Sequence, residues 1–270
     1  MTTERNSGTA LVTGASAGIG AVYADRLAAR GHDLILVARN AARLQAVAEG
    51  ITARHGRAVG TIAADLTDPA QLAGVETVLR TDDSLTMLVN NAGFGAAAPL
   101  LASDVERMAA MIAVNVTAVM RLTYAAVPGL VARGGGTLIN IASIVAIGPE
   151  ILNGVYGGSK AFVLAFSQSL RKELGQTGVR VQAVLPGATG TEFWEIAGNP
   201  LGNLPESWVM TPGDMVDAAL AGLDAGEFVT IPALPDAGDW EAYEAARQQM
   251  LPHLSNARPA ARYGLPRAAA

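Results

Sequence analysis

Short apolar runs alternate along most of the chain with longer segments in which apolar residues recur at helical spacing. The short runs lack alternating polar positions, which is typical of strands that a parallel sheet buries on both faces. The pattern predicts strands at residues 9–13, 33–38, 58–64, 85–89, 137–142, 179–185 and 228–231. It predicts helices at residues 19–30, 41–54, 69–79, 103–131 (with a bend near Pro128) and 156–174.

This alternation predicts an α/β fold, a doubly wound Rossmann-type parallel sheet of about seven strands with helices on both faces. The sequence shows no internal repeat and no linker, so we expect a single domain over residues 1–270. Gly, Pro and Asn recur among large apolar residues in 188–210, which favours a lid over an apolar pocket or packing against the body or a partner. The Ala-, Pro- and Arg-rich stretch 253–270 indicates a flexible tail or an arm across a neighbouring subunit.

Half of the 270 residues are hydrophobic and 16% are charged, which allows a large buried core. The net charge is -5 without a Lys/Arg cluster, so no nucleic-acid partner is expected. There is no cysteine, and His32, His55 and His253 lie far apart, so neither a disulfide nor a metal site is predicted. The first residues are polar and every long apolar window contains charges or helix breakers, so we expect a cytoplasmic protein without a membrane span.

A glycine-rich turn follows the first predicted strand and opens the first helix. Glycines allow a tight turn and a close approach of the backbone to a pyrophosphate, and the helix N-terminus supplies free N–H groups. Such a turn could also connect a strand to a helix without any ligand, but the strand–turn–helix context favours dinucleotide binding. The candidate residues are Gly14, Ser16, Gly18, Ile19 and Gly20.

Three further segments bear on the cofactor. Arg39 ends the second strand, where many NAD-binding folds carry an acid for the ribose 2′-hydroxyl. Its guanidinium suits a 2′-phosphate, so NADP(H) is favoured over NAD(H), unless Arg39 is simply a solvated surface residue.

Asp65 follows the third strand and either accepts a hydrogen bond from adenine or caps the next helix. Asn91, Ala92 and Gly93 form a turn suited to packing against the cofactor, although as an isolated motif it indicates only a turn.

Tyr156 and Lys160 are four residues apart on a predicted helix and therefore share one face. A nearby ammonium favours the phenolate, so the pair predicts an acid/base whose pKa lies below the usual value of about 10. Alone, the pair is more typical of an exposed lysine beside a half-buried tyrosine.

Ser143, at the end of the fifth strand, could bind a substrate oxygen or act only as a cap. Asparagine is unfavourable in the interior of a helix, so Asn115 either has a specific role or is a tolerated polar residue.

Taken together, these motifs resemble the short-chain dehydrogenase/reductase family, in its compact single-domain branch. The resemblance covers residues from about 9 to 232 and rests on TGxxxGIG at 13–20, NNAG at 90–93, Asn115, Ser143, Tyr156, Lys160, Pro186 and Gly187. It implies a carbonyl–alcohol oxidoreductase with a catalytic tetrad of Tyr156, Lys160, Ser143 and Asn115. It also assigns Asp65 to adenine, Asn91 to the ribose region and Thr191 to the nicotinamide amide, with Pro186, Gly187 and Thr189 completing the cofactor site.

The substrate is expected to be a small, largely apolar carbonyl compound or alcohol. Phe94, Ile144, Phe193 and Trp194 are the candidate walls of its pocket. No Arg or Lys lies between 133 and 160 or between 180 and 210, which disfavours strongly anionic substrates. The two long helices carry apolar residues beyond one core-facing stripe, so a homodimer or homotetramer is expected.

Other functions remain possible on the same residues. A non-catalytic NADP-binding regulatory protein would keep the fold but would not need Tyr156 and Lys160 together. A methyltransferase can carry a similar glycine-rich turn, but it needs no Tyr-x-x-x-Lys helix. Epimerases and dehydratases of the resembled family usually have a larger C-terminal substrate domain than this chain can hold.

Overall fold

The computed structural model describes residues 7–265. The part up to Ala233 forms one compact unit, and the part from Leu234 onward forms a second. All strands and all candidate site residues lie in the first unit. The single-domain interpretation of the whole chain therefore stays a prediction.

The first unit is built on a seven-stranded sheet in which every pairing is parallel. The strand order is β3-β2-β1-β4-β5-β6-β7, which confirms the predicted Rossmann-type sheet. The strands are β1 Thr9–Thr13, β2 Asp33–Ala38, β3 Val59–Ala63, β4 Leu85–Asn90, β5 Gly136–Ile141, β6 Val179–Val184 and β7 Val229–Thr230. Unlike the buried central strands, β3 is largely exposed, because it is an edge strand with a neighbour on one side only.

The helices of the first unit are α1 Gly18–Ala29, α2 Ala41–His55, α3 Pro69–Thr81, α4 Val105–Ile112, α5 Val119–Ala132, α6 Gly154–Leu174, α7 Phe193–Ala197 and α8 Pro212–Ala225. Several begin at the caps that the sequence offers. Asn40, Asp68 and Thr211 accept hydrogen bonds from the first turns of α2, α3 and α8. The predicted helix boundaries hold to within a few residues, whereas α7 and α8 were not predicted.

The helix predicted over 103–131 is not one continuous α-helix. A π-helical segment, Ala113–Ala118, separates α4 from α5, while Pro128 lies inside α5. By length and composition, Val105–Ala132 could cross a membrane. Its buried residues, Leu122 among them, instead pack in the core beneath the sheet, as in the core helix of a globular protein.

Two apolar layers cover the sheet, one on each face, as the doubly wound fold requires. Tyr23, Leu44 and Leu220 of α1, α2 and α8 belong to one layer. Val75 and Leu122 of α3 and α5 belong to the other. The strand order reverses between β1 and β4, so the crevice at the carboxyl ends of these strands is where this fold binds ligands.

Residues 188–210, here called the strap, contain little regular structure, as the composition predicted. An isolated parallel bridge joins Thr189 to Met210 and closes the base of the strap. Between them lie α7 and the 3-10 turns Leu201–Asn203 and Glu206–Trp208.

The second unit contains one further helix, α9 Ala237–Met250. None of its residues is buried, and the following residues up to Leu265 are exposed as well. The choice between a tail and an arm at 253–270 stays a prediction, and 266–270 lie outside the described residues.

Candidate active site

The glycine-rich turn joins β1 to α1 through backbone that glycine adopts readily. Gly14 and Gly18 have φ angles of 68° and 53°. No side chain caps α1 and no acid stands in its first turn, so its N-terminal N–H groups are available to an anion. A Cβ at Gly18 would lie 3.1 Å from Thr191 Cγ2, which shows that the turn and the strap face each other closely. Ser16 is half-buried in this turn, and Ile19 packs against the core.

Asn91 fixes the turn from the end of β4. Its Nδ2 donates a hydrogen bond to the Thr13 carbonyl oxygen at 2.8 Å. A Cβ at Gly14 would lie 2.8 Å from Asn91 Nδ2, and a Cβ at Gly20 would lie 2.5 Å from it. Any larger residue at these two glycines would therefore push the turn away from β4. Asn91 thus shapes the turn, in addition to the role toward ribose that the resemblance implies.

Arg39 and Asp65 lie beyond the ends of neighbouring strands, β2 and β3. Arg39 is exposed, and no hydrogen bond or ion pair within residues 7–265 holds its guanidinium. Asp65 Oδ1 accepts hydrogen bonds from Thr67 N at 2.9 Å and from Thr67 Oγ1 at 2.8 Å. Asp68, not Asp65, caps α3. Of the two alternatives for Asp65, the helix cap is therefore wrong, and the carboxylate closes a turn at the crevice.

Tyr156, Ser143 and Lys160 meet near the carboxyl end of β5. All three side chains are buried; Tyr156 and Lys160 lie on α6, and Ser143 lies just beyond β5 rather than at its end. The Ser143 hydroxyl acts on the Tyr156 phenol by lowering its pKa, and its own Oγ donates a hydrogen bond to the Pro186 carbonyl oxygen at 3.4 Å. Ser143 Oγ in turn accepts from Val145 N at 3.3 Å. Lys160 Nζ donates to the Ile141 carbonyl oxygen at 2.9 Å and lies 6.0 Å from the centroid of the Tyr156 ring.

The charge states of this group differ from the sequence prediction. Burial raises the pKa of Tyr156 to about 12, and the Ser143 hydroxyl opposes this only in part. Burial also lowers the pKa of Lys160 to about 8. The expectation that Lys160 lowers the Tyr156 pKa is thus wrong for the protein alone, because the removal of the phenol from water dominates. At neutral pH the phenol holds its proton.

Asn115 lies in the π-helical segment, fully buried below the loop after β4. Its Oδ1 accepts from Phe94 N at 3.2 Å, and its Nδ2 donates to the Phe94 carbonyl oxygen and to Ser159 Oγ, both at 3.0 Å. A Cβ at Gly93 would lie 2.7 Å from Asn115 Oδ1 and 3.7 Å from Lys160 Nζ. Asn115 therefore links the Gly93 loop to α6 beside Lys160. π-Helical turns inside α-helices occur frequently at functional sites.

The strap closes over this group from the other side. Pro186 precedes it, and its carbonyl oxygen accepts from Ile144 N at 3.1 Å. Gly187 faces Ile144, whose Cδ1 would lie 4.0 Å from a Cβ there. Within the strap, Thr189 is buried and Thr191 Oγ1 accepts from Phe193 N at 3.3 Å.

Apolar side chains surround the Tyr156 ring. The Phe193 ring centroid lies 5.6 Å from that of Tyr156 and 5.6 Å from that of Trp194. Trp194 is buried and donates from Nε1 to the Thr189 carbonyl oxygen at 2.9 Å. Phe94 packs in the same cluster as Tyr156. Two of the predicted wall residues, Phe193 and Phe94, thus lie beside Tyr156. Trp194 lies against Phe193, and Ile144 is half-buried after Ser143.

Several contacts of the site could not be read from local sequence patterns. Arg43 on α2 donates two hydrogen bonds, at 3.0 and 2.8 Å, to Glu192 of the strap. Arg107 of α4 lies over the Phe94 ring, so a cation does stand near the apolar wall, although the segments between 133 and 160 and between 180 and 210 contain none. No cluster of three potential metal ligands occurs in the part of the chain that the structure describes.

The chain is similar to known dehydrogenases in both sequence and structure. The family model of the short chain dehydrogenases matches residues 8–199. A serine 3-dehydrogenase from Rhizobium radiobacter is 38% identical over 192 residues, which cover 69% of this chain and 74% of that protein.

Two solved structures cover nearly the whole chain. A short-chain dehydrogenase from Sphingobium yanoikuyae in complex with NADPH has a TM-score of 0.91 and 47% identity, covering 95% of this chain and 100% of that one. A bulky-bulky ketone specific alcohol dehydrogenase from Comamonas testosteroni has a TM-score of 0.88 and 42% identity, covering 96% and 99%. Since the family model spans well over half of the chain, the protein belongs to the short-chain dehydrogenase/reductase family.

Proposed function

We propose that the protein is an NADP(H)-dependent oxidoreductase that interconverts a ketone or aldehyde and an alcohol, with Tyr156 as the proton donor and acceptor. The observation that carries this proposal is the grouping of three buried side chains, Tyr156, Ser143 and Lys160, with Lys160 Nζ 6.0 Å from the centroid of the Tyr156 ring. Reduction of a carbonyl requires the phenol with its proton and oxidation of an alcohol requires the phenolate, so the raised pKa of Tyr156 in the protein alone favours the direction of reduction.

Each residue of this group has its own role in the proposed reaction. The nicotinamide, when bound, supplies or accepts the hydride. Tyr156 donates its proton to the carbonyl oxygen in reduction, and Ser143 holds that oxygen as charge develops on it. Lys160 holds a positive charge near the phenol, and Asn115 fixes the loop that carries Gly93 against α6. The oxidation of an alcohol uses the same groups in reverse.

The proposed cofactor fits the residues present. Gly14 and Gly18 leave room for a pyrophosphate above the open N-terminus of α1. Arg39 has no partner in residues 7–265, and no acid adjoins it in the sequence to hold a ribose 2′-hydroxyl. The Sphingobium structure, which is named as a complex with NADPH, supports the same choice.

The proposed substrate is largely apolar, because aromatic and aliphatic side chains surround Tyr156. The relative from Comamonas, named for bulky ketones, supports this class. The relative from Rhizobium is named for serine, so the family membership alone does not choose the substrate.

A screen of NADPH consumption with ketones, aldehydes and diketones, with NADH in parallel, tests the proposal. We expect turnover with at least one apolar ketone and a preference for NADPH. Tight binding of NADPH without turnover on any carbonyl would favour the alternative, a non-catalytic NADP-binding regulatory protein.

Replacing Arg39 with Asp is expected to shift the cofactor preference toward NADH. The 2′-phosphate would lose a charged donor and meet a repelling carboxylate, an effect of about 2–3 kcal/mol. The ratio of kcat/KM for NADPH to that for NADH should be measured in both proteins. Lys172→Asp makes the same charge change at an exposed position in the last turn of α6 and should leave the ratio as it is. A parent that already prefers NADH would refute the role of Arg39.

The protein is expected to form a homodimer or homotetramer through α4, α5 and α6. Apolar side chains remain exposed on these helices, including Ile112, Met120 and Tyr124, whose ring stacks on that of Phe166. A two-fold contact would bury the same patch from each subunit. Light scattering should give at least twice the chain mass of 27.6 kDa, and a mass near 27.6 kDa would contradict the prediction.

A further inference from the structure

Phe193, one of the predicted walls of the substrate pocket, lies directly beside the proposed acid. It lies at the start of α7 in the strap and is only half-buried. Its ring centroid is 5.6 Å from that of Tyr156, at an interplanar angle of 46°. A substrate whose oxygen reaches the Tyr156 hydroxyl must therefore pass or share space with this ring.

The outer edge of the Phe193 ring lies against Gly95, a residue without a side chain. A Cβ at Gly95 would lie only 2.4 Å from Phe193 Cζ and 2.9 Å from Cε2. Gly95 is buried, and its φ is not in the left-handed region, so the absence of a Cβ serves the ring and not the backbone. The Phe193 ring is thus held between Gly95, Tyr156 and the T-shaped contact with Trp194.

The helix that carries Phe193 is tied down at several points. The Ala197 carbonyl oxygen accepts from Ala97 N at 3.0 Å, and Arg107 donates to the Ile196 carbonyl oxygen. At the other end, the exposed ion pair between Glu192 and Arg43 joins the strap to α2. The backbone on both sides of Phe193 is therefore held, so a bulky substrate would have to displace the Phe193 side chain and not the helix.

We propose that the Phe193 ring, seated on Gly95, sets the size of the ketone substituent that the site accepts. This inference rests on the proposed function. Ketones with bulky apolar groups on both sides of the carbonyl must displace the ring from Gly95. Ketones with one small group leave it in place, and the ring then packs against them.

The test compares benzil, in which phenyl groups flank the carbonyls, with the analogue in which a methyl group replaces one phenyl. Phe193→Ala is expected to raise the ratio of kcat/KM for benzil to kcat/KM for the analogue at least about tenfold, the scale of apolar pocket discrimination. Ile196→Ala, an exposed change on the same short helix, should leave the ratio unchanged. NADPH affinity, measured by fluorescence, should stay within about twofold in both variants, because the proposed size filter acts on the ketone.

Gly95→Ala supplies a second, independent test of the inference. The new methyl group must move the Phe193 ring, so it should change the ratio at least about fivefold in the parent but less than about twofold in the Phe193→Ala background. An unchanged ratio in Phe193→Ala, or equal effects of Gly95→Ala in both backgrounds, would overturn the inference while leaving the proposed function intact. A parent that reduces neither ketone nor any other carbonyl would instead contradict the proposed function, and the inference with it.

Discussion

Replacing Tyr156 with Phe is expected to lower turnover at least about a hundredfold while NADPH still binds, since this is the usual scale of acid/base catalysis. The change removes only the hydroxyl and leaves the packed ring against Phe193. The loss should therefore fall on kcat, with little effect on the folding of the protein.

Tyr23 offers a matched control. It is also fully buried, burial also raises its pKa, and its hydroxyl has no hydrogen-bond partner among the described residues. Tyr23→Phe should leave turnover unchanged and should not destabilise the protein, because no hydrogen bond is lost. Turnover of Tyr156→Phe within a fewfold of the parent would remove Tyr156 from the mechanism.

Replacing Lys160 with Met is expected to abolish most of the turnover and at the same time to stabilise the protein. Lys160 is buried, and burial lowers its pKa from 10.5 to about 8. At neutral pH this difference opposes folding by about 3 kcal/mol, and the lost hydrogen bond to Ile141 costs about 1 kcal/mol of stability. We expect a net gain of about 1–2 kcal/mol and a melting temperature a few degrees higher.

The pH dependence of stability separates this explanation from a simple improvement in packing. Between pH 8 and 10.5 the unfolded chain binds the Lys160 proton and the folded chain does not, so the stability of the parent rises with pH. Lys160→Met lacks this rise, and the two proteins should converge toward pH 10. A stability difference that is constant over this range would show that Lys160 is not charged and buried in the fold.

The sheet and the proposed catalytic group could be predicted from the sequence because both follow from local patterns. Short apolar runs fix the strands, and parallel strands bring the residues after β1, β4 and β5 to one edge of the sheet. Gly14, Asn91 and Ser143 each follow one of these strands and do lie at that edge. Tyr156 and Lys160 share a helix face by their spacing alone.

Other features depend on contacts that no local pattern encodes. The rise of the Tyr156 pKa is caused by the residues that bury the phenol, and these come from several segments of the chain. The π-helical segment around Asn115 has no sequence signal beyond an unfavourable residue for a helix. Ser159 and Gly95 matter through partners far along the chain, Asn115 and Phe193. A tight contact at a buried glycine becomes visible only when the fold places another side chain there.

Transfer of deuterium to an apolar ketone from NADPH that carries deuterium at both hydrogens of the nicotinamide C4 is the most direct test of the proposed function. After incubation with the parent protein, mass spectrometry of the alcohol should show a single deuterium on the former carbonyl carbon. Tyr156→Phe, at the same concentration, should give at least about a hundredfold less labelled alcohol per unit time. Bound NADPH with no labelled alcohol from any ketone would contradict the assignment of this protein as a carbonyl–alcohol oxidoreductase.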